Sequence, residues 1–330
     1  MQGGLGRSNS PLKQLEPGMT ADPLDDFRDL LCKLPLARDV EALHFSAPFD
    51  SGGELSELAL WLERWSGAKP SLARPMIAIF VGSHGLARHG VASASDADAR
   101  SFLESAADGS GVMPNLCGGS NIGLKVLELA LDHPAGDISL EPALDARSCA
   151  ATMAFGMEAA AGGVDLICLS GVGSGGDVAA RALLALTASG SGQDWSEQEA
   201  LPHVRLRQAS VIDAALARQK SKDALGAMAE LGGREIAAIA GAIIAARMER
   251  VPVILDGLAA LSAALVLNSI EPAIVGHCRL AVRPADEQIA RLAQNAGLAW
   301  ISEMGLAGSA GVDSAFAVQT LRLAVLAARA

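Results

Sequence analysis

Residues 231–264 read LGGREIAAIAGAIIAARMERVPVILDGLAALSAA, and this stretch decides the fold. After Gly232-Gly233 comes IAAIAGAIIAA, too apolar for a surface helix, so it predicts a helix packed closely against other elements. Arg247 to Arg250 then reads as a solvated exit. Val251-Pro252-Val253-Ile254-Leu255 predicts a buried strand beginning at a proline. Asp256-Gly257 falls at the C-terminal end of that strand, where open α/β sheets place their ligands, so the stretch reads as the rim of a pocket.

The same order recurs upstream. Met76-Ile77-Ala78-Ile79-Phe80-Val81 predicts a strand running into a loop, Gly82-Ser83-His84-Gly85. Ile122-Gly123-Leu124-Lys125-Val126 predicts a second strand ahead of the polar LDHPAGDIS. AATMAFGMEAAAGG, residues 150–163, predicts a small-residue helix, and a strand follows over residues 164–169. Gly171-Val172-Gly173-Ser174-Gly175-Gly176 reads as a glycine loop opening a helix over residues 177–187. Downstream, DEQIARLAQNAG, LAWIS, MGLAGSAGV and residues 314–329 read as helix, strand, loop and helix. Strand, glycine loop and helix in alternation predict an α/β fold with a doubly wound, mainly parallel sheet. DDFRDLLCKLP and ELSELALWLERWSG predict helices between residues 24 and 67, forming a small accessory layer.

Composition narrows the functions open to such a fold. The 330 residues carry a formal net charge of -11 with no block of Lys or Arg, which argues against nucleic acid or an anionic membrane and for a small-molecule partner. Cys32, Cys117, Cys149, Cys168 and Cys278 form no CxxC pair and no metal-ligand spacing, which suits a reducing cytoplasm. Residues 1–23 are rich in Gly, Ser and Pro without an apolar core, and read as a disordered leader. No HExxH or His/Cys cluster appears, so neither a metal nor a bound cofactor is expected.

Several residues can carry chemistry. The GVGSGG segment before a helix can present N–H groups to a phosphate, although it lacks the Lys-Ser/Thr of a P-loop and the glycine spacing of a dinucleotide site. A tight turn without ligand explains it equally well. His84 can act as acid, base or hydrogen-bond donor near neutral pH, or as a structural hydrogen-bonder. Asp256 at a strand end is read as a site residue, and Glu235 as a negative charge favoured in a first helical turn. Arg207 is either a phosphate ligand or a solvated helix-face arginine.

Taken together, AIFVGSHGLARHGV, NIGLKVLELALDHPAGDIS, CAATMAFGMEAAAGGVDLICL and LGGREIAAIAGAIIAARMERVPVILDG resemble the nicotinate-nucleotide:dimethylbenzimidazole phosphoribosyltransferase family (CobT type). The resemblance runs from about residue 25 to the last helix. It implies a Rossmann-like large domain over residues 71–313, a small helical domain from 24–70 plus 314–330, and a dimer. It also implies a reaction of cobalamin lower-ligand synthesis, in which an azole nitrogen displaces nicotinate from C1 of ribose phosphate and a carboxylate takes the azole proton. Gly173, Gly175, Gly176, Arg207, Gly232, Gly233, Asp256 and Gly257 are then expected around the nucleotide, and Ser83, His84 and Gly85 around the base.

The chain departs from the family pattern where the chemistry is done. The family's Gly-Glu-Met-Gly-Ile-Gly-Asn-Thr-Thr aligns with Ser170 through Val178, so its glutamate becomes Gly171 and its hydroxyls become Asp177 and Val178. Its Leu-Gly-Glu-Gly-Thr-Gly-Ala aligns with Gly308 through Ser314, so the general base becomes Ala310, with Asp313 or Glu303 as the nearby acids. Its Gly-His-x-Ser-Ala-Glu becomes Ala281 through Asp286, and its Lys- and Pro-rich loop becomes Ser46 through Gly53. Two readings stay open: a transferase with an altered site, accepting nicotinate mononucleotide or a related nucleotide and a benzimidazole-like base, or a non-catalytic paralogue. The second binds a nucleotide or base, or pairs with an active homologue, so both homodimer and heterodimer remain.

Overall fold

The computed structural model describes residues 22–39, 53–66, 70–306 and 310–328. The expected leader over residues 1–23 lies almost wholly outside the described residues, as does the Ser46–Gly53 loop save its last residue. Six strands, β1 (Pro75–Ser83), β2 (Gly123–Glu128), β3 (Leu166–Ser174), β4 (Val253–Asp256), β5 (Cys278–Val282) and β6 (Trp300–Ser302), form one sheet. Its order is β2-β1-β3-β4-β5-β6, and every neighbouring pair is parallel. The chain winds outward from β1 in one direction to β2 and in the other to β3, so the topological switch point lies between β1 and β3.

The helices are α1 (Asp25–Leu31), α2 (Gly53–Trp65), α3 (Asp96–Asp108), α4 (Val112–Ser120), α5 (Ala146–Met157), α6 (Gly176–Ala188), α7 (Gly192–Trp195), α8 (Pro202–Arg218), α9 (Ala224–Leu231), α10 (Arg234–Met248), α11 (Leu258–Ile270), α12 (Glu287–Asn295) and α13 (Val312–Ala327). Alternate residues along each strand feed two cores. Ala78, Phe80, Ile167, Leu169, Val253 and Leu255 join α5, α6, α10 and α11, whereas Ile77, Ile79, Leu166, Cys168 and Ile254 join α2, α4 and α13. A sheet buried on both faces needs near-continuous apolar strands, as these are. The expected accessory layer is divided: Phe27 and Leu31 of α1 belong to the first core, while Leu58 and Leu62 of α2 pack with α13 in the second. Each helix has an apolar face of its own, and the sheet offers two surfaces to cover.

The small-residue helix is α10, and its composition follows from its crossing with α5. A Cβ on Gly241 would overlap the Met153 carbonyl, and one on Gly156 would overlap the Ala238 carbonyl, so the two backbones meet directly. Its end differs from the sequence expectation. Arg247 is 2% exposed rather than solvated, with its guanidinium 4.0 Å over the Trp65 ring and its Nε donating to the Pro35 carbonyl at 2.6 Å. Trp65 and Pro35 lie far away in sequence, which is why the local pattern read as surface. No helix among the described residues is long and apolar enough to cross a membrane.

His277 is enclosed beside this cluster, with Nε2 3.0 Å from the Ile243 carbonyl. Burial, with the Arg247 charge, pushes its pKa down from 6.5 to about 3.

Two outcomes test the packing. Gly241→Leu forces the α5 and α10 backbones apart and should cost about 3 kcal/mol or more in urea denaturation, whereas an unchanged midpoint would disprove the contact. Between pH 6.5 and 3 the unfolded chain binds a proton at His277 that the folded chain does not, so stability falls with acid by up to about 1.4 kcal/mol per pH unit. His277→Gln should flatten that slope, measured as denaturation midpoints at pH 5 and pH 7.

Candidate active site

Toward the C-terminal ends of β1 and β3, the sheet face under α10 changes from bulky to bare. Phe80 and Leu169 are followed on that face by Gly82, Gly171 and Gly173, and Gly82 lies in register with Gly173. The notch holds one side chain, Glu235 from the first turn of α10. Its carboxylate lies where a Cβ on Gly82, Gly173 or Gly176 would come within 2.5–2.7 Å, and its Cγ sits 3.3 Å from one on Gly171. Because Gly176 begins α6, this carboxylate also meets a helix N-terminus, whose partial positive charge favours it.

Glu235 Oε1 is 2.5 Å from His84 Nε2, and both residues are 1% exposed. Burial works against protonating His84, but the charge and hydrogen bond of Glu235 outweigh it and raise the histidine pKa. Gly233, at φ +82°, lets the imidazole pack where any Cβ would collide with it. His84 Nδ1 and Glu235 Oε2 are buried with no partner among the described residues.

The opposite face carries a second carboxylate. Asp256 ends β4 pointing toward α13, where Oδ2 accepts from Ser314 N at 2.9 Å and from Ser314 Oγ at 2.8 Å. Burial raises its pKa against the pull of those bonds. Asp313 beside it is half-buried and accepts from Leu306 N at 2.8 Å. A third acid, Asp137, braces the segment that follows β1: Arg88 Nε and His89 Nε2 approach its Oδ2 at 2.8 and 2.7 Å, and Ser139 Oγ approaches Oδ1 at 2.6 Å. Burial pushes the Asp137 pKa upward, but the bonds from Ser139, His89 and Arg88 prevail and hold it at about 2.

The expected site residues therefore separate into groups. Gly173, Gly175, Gly176, Gly232 and Gly233 gather around Glu235 and His84, or one residue away from them. Gly171 to Ser174, expected as a loop, continue β3, because glycine reads as a turn signal yet pairs here with Phe80 to Ser83. Ser83, expected in the same loop, ends β1 and donates through Oγ to the Leu131 carbonyl at 3.1 Å. Gly85 lies against Ala135 and Asp137. Asp256 ends the neighbouring strand on the other face, and Gly257 caps the start of α11. Arg207 on α8 is exposed and lies 3.6 Å from where a Gly90 Cβ would stand. Asp177, in the first turn of α6, accepts from Ser93 Oγ at 3.2 Å, and desolvation of its carboxylate raises its pKa against that bond.

Ala310 is partly buried against the α13 core, whereas Gly308 and Ser309 lie outside the described residues. Glu303 stands apart, receiving Trp300 Nε1 at 2.8 Å near Arg283. Glu235, read from the sequence as a helix-turn charge in preference to a ribose contact, lies instead in the notch on His84, and an acid at the head of an otherwise apolar helix is the signal that marks it. No group of three or more His, Cys, Asp or Glu side chains suited to a metal occurs among the described residues.

Residues 40–330 match the model of a family described as Phosphoribosyltransferase. A nicotinate-nucleotide–dimethylbenzimidazole phosphoribosyltransferase of Allorhizobium ampelinum is 40% identical over 322 residues, 93% of each chain. The chain belongs to this phosphoribosyltransferase family. The enzyme of that name from Agrobacterium fabrum is 43% identical over 276 residues, 79% of each chain. The crystal structure of the Thermus thermophilus phosphoribosyltransferase of that name shares the fold, with a TM-score of 0.77, 22% identity and coverage of 94% of this chain and 96% of that one. The α/β architecture expected from the resemblance is thus shown at the level of family and fold.

The His84–Glu235 pair can be tested directly. Glu235→Ala strands a buried imidazolium and should cost about 3–5 kcal/mol, while His84→Gln with Glu235→Gln should cost clearly less than the two single changes summed. The raised His84 pKa gives the opposite sign from His277: its contribution is complete below pH 6.5 and is lost as pH rises through the folded value. Strictly additive losses in urea denaturation would show that the pair is not coupled.

Proposed function

We propose that this chain binds nicotinate mononucleotide or a related nucleotide, together with a benzimidazole-like base, and that its phosphoribosyl transfer is impaired. One observation carries the reading: the frame at the strand ends is intact, yet the two positions assigned to the family's acids hold Gly171 and Ala310. Gly171 has no room for a side chain, since a Cβ there would stand 2.8 Å from Ala259 Cβ.

The nucleotide is assigned to the rim formed by Gly173, Gly175, Gly176, Gly232, Gly233, Asp256 and Gly257, with Arg207 facing its phosphate and the Ser83-His84-Gly85 segment toward the base. In the transfer, an azole nitrogen bonds to C1 of the ribose as the bond from C1 to nicotinate breaks. Nicotinate leaves with the electron pair, and the azole proton must pass to a base. Glu235 is buried on His84 and Asp256 on Ser314, whereas half-buried Asp313 accepts from Leu306 N through Oδ1 and is assigned as the substitute. Loss of a positioned base costs roughly two to four orders of magnitude in rate.

A second reading, a non-catalytic partner of an active homologue, draws on Leu323 and Leu326, which leave 59% and 61% of their surface open on α13. Binding of nicotinate mononucleotide by calorimetry and release of nicotinate by chromatography test both readings. The first expects binding, release at least about a hundredfold slower than by the Allorhizobium relative, and further loss in Asp313→Ala. Release at the relative's rate would overturn the impairment, and absence of nucleotide binding would overturn the assignment. Activity unaltered in Asp313→Ala would remove Asp313 from it. Specific co-purification with an active homologue would favour the second reading.

A further inference from the structure

At the far end of α10 from Glu235 lies a cavity of about 740 Å³, bounded by α1, the segment after it, the start of α9 and the ends of α10 and α11. Twelve residues of helix separate Glu235 from Arg247, about 18 Å, so this cavity is remote from the strand ends that carry the candidate active site. Leu31, Leu34, Leu225, Ile270 and Ile274 make its wall apolar.

Arg247 is the buried charged group of its lining, which also carries Arg28, Asp223 and Glu271. The residue is 2% exposed, it forms no ion pair among the described residues, and its Nη1 is buried without a hydrogen-bond partner there. Nε is committed to the Pro35 carbonyl and the Trp65 ring supports one face of the guanidinium. Burial and the neighbouring Arg250 lower its pKa to about 10, which leaves it cationic at neutral pH. The acids of the cavity stand elsewhere: Asp223 is bound to Arg28 at 3.0 Å, and Glu271 is exposed with Oε1 accepting from Ala273 N. A buried cation with an unused donor is costly unless an anion meets it, and a cavity of this size suits a ligand of several carbons.

We infer that this cavity is a binding site for a small monocarboxylate with an apolar body, its carboxylate on Arg247 and its body against Leu31, Leu225 and Ile274. A fork donor stands among apolar lining residues, and the two acids of the lining are engaged by Arg28 and by the Ala273 backbone.

Cys32 gives a direct readout, because it lines the cavity and is exposed while the other four cysteines are buried. Octanoate is the probe, with octanol and octylamine as controls. Octanoate should slow alkylation of Cys32 by iodoacetamide and raise the melting temperature, with affinity about tenfold or more above octanol. Arg247→Gln should erase that preference. Ala273→Trp, an exposed lining position, should abolish protection while leaving the unliganded melting temperature unchanged, which keeps the test valid if Arg247→Gln fails to fold. Equal protection by octanol, stronger protection by octylamine, or no protection at millimolar octanoate would each overturn the assignment.

Discussion

A carboxylate and an imidazole that are both shut away from water must satisfy each other, and that requirement organises the centre of this molecule. Glu235 reaches from α10 into the gap between β1 and β3, and His84 closes over it. Five glycines, at positions 82, 171, 173, 176 and 233, leave the volume that these two side chains occupy. Any side chain at those positions would push the pair apart or expel it. The pair therefore joins the inner strands, the start of α6 and the start of α10 into one body at the switch point of the sheet, where open α/β sheets bind their ligands.

Five of the six strands were legible in the sequence because they rest on local signals, whereas β5 was not read. Apolar runs beginning at Met76, Leu166 and Val253 mark strands buried on both faces, and small residues in α10 mark a helix that must lie close to another. What escaped was set by partners distant in the chain. Arg247 looks like the end of a solvated helix until Trp65 and Pro35 are placed beside it. Gly171 and Gly173 look like a loop until their register with Phe80 and Gly82 is known. Glu235 in a first helical turn is an ordinary helix-stabilising charge by local rules, and only the glycines opposite draw it inward. Asp256 was rightly placed at a strand end, but its face followed from the alternation of β4, which aims it at α13.

The contacts that hold the scaffold and the positions assigned to reaction chemistry meet at Gly171, whose missing side chain leaves room for Glu235. Neither the α5–α10 crossing nor the His84–Glu235 pair needs an acid at position 171 or 310. Membership of the family is accordingly compatible with a changed reaction centre, since a fold and the site it bears can diverge independently. Asp137 illustrates the distinction: it is the most acidified carboxylate beside the site, yet its bonds are spent on holding Arg88, His89 and Ser139 in place.

The all-parallel sheet has a kinetic consequence. No two neighbouring strands can be joined by a hairpin, so every pairing awaits a crossover. β1 and β3 pair through Pro75 and Leu166, 91 residues apart, and α10 adds the carboxylate that fills the gap between them only after a further helix-rich stretch. During vectorial synthesis, one edge of β1 can take β2 early while the other stays open until β3 emerges. Folding of such a chain is slow for its topology, and the interval in which an apolar central strand lacks its second neighbour is when it is most exposed to wrong partners.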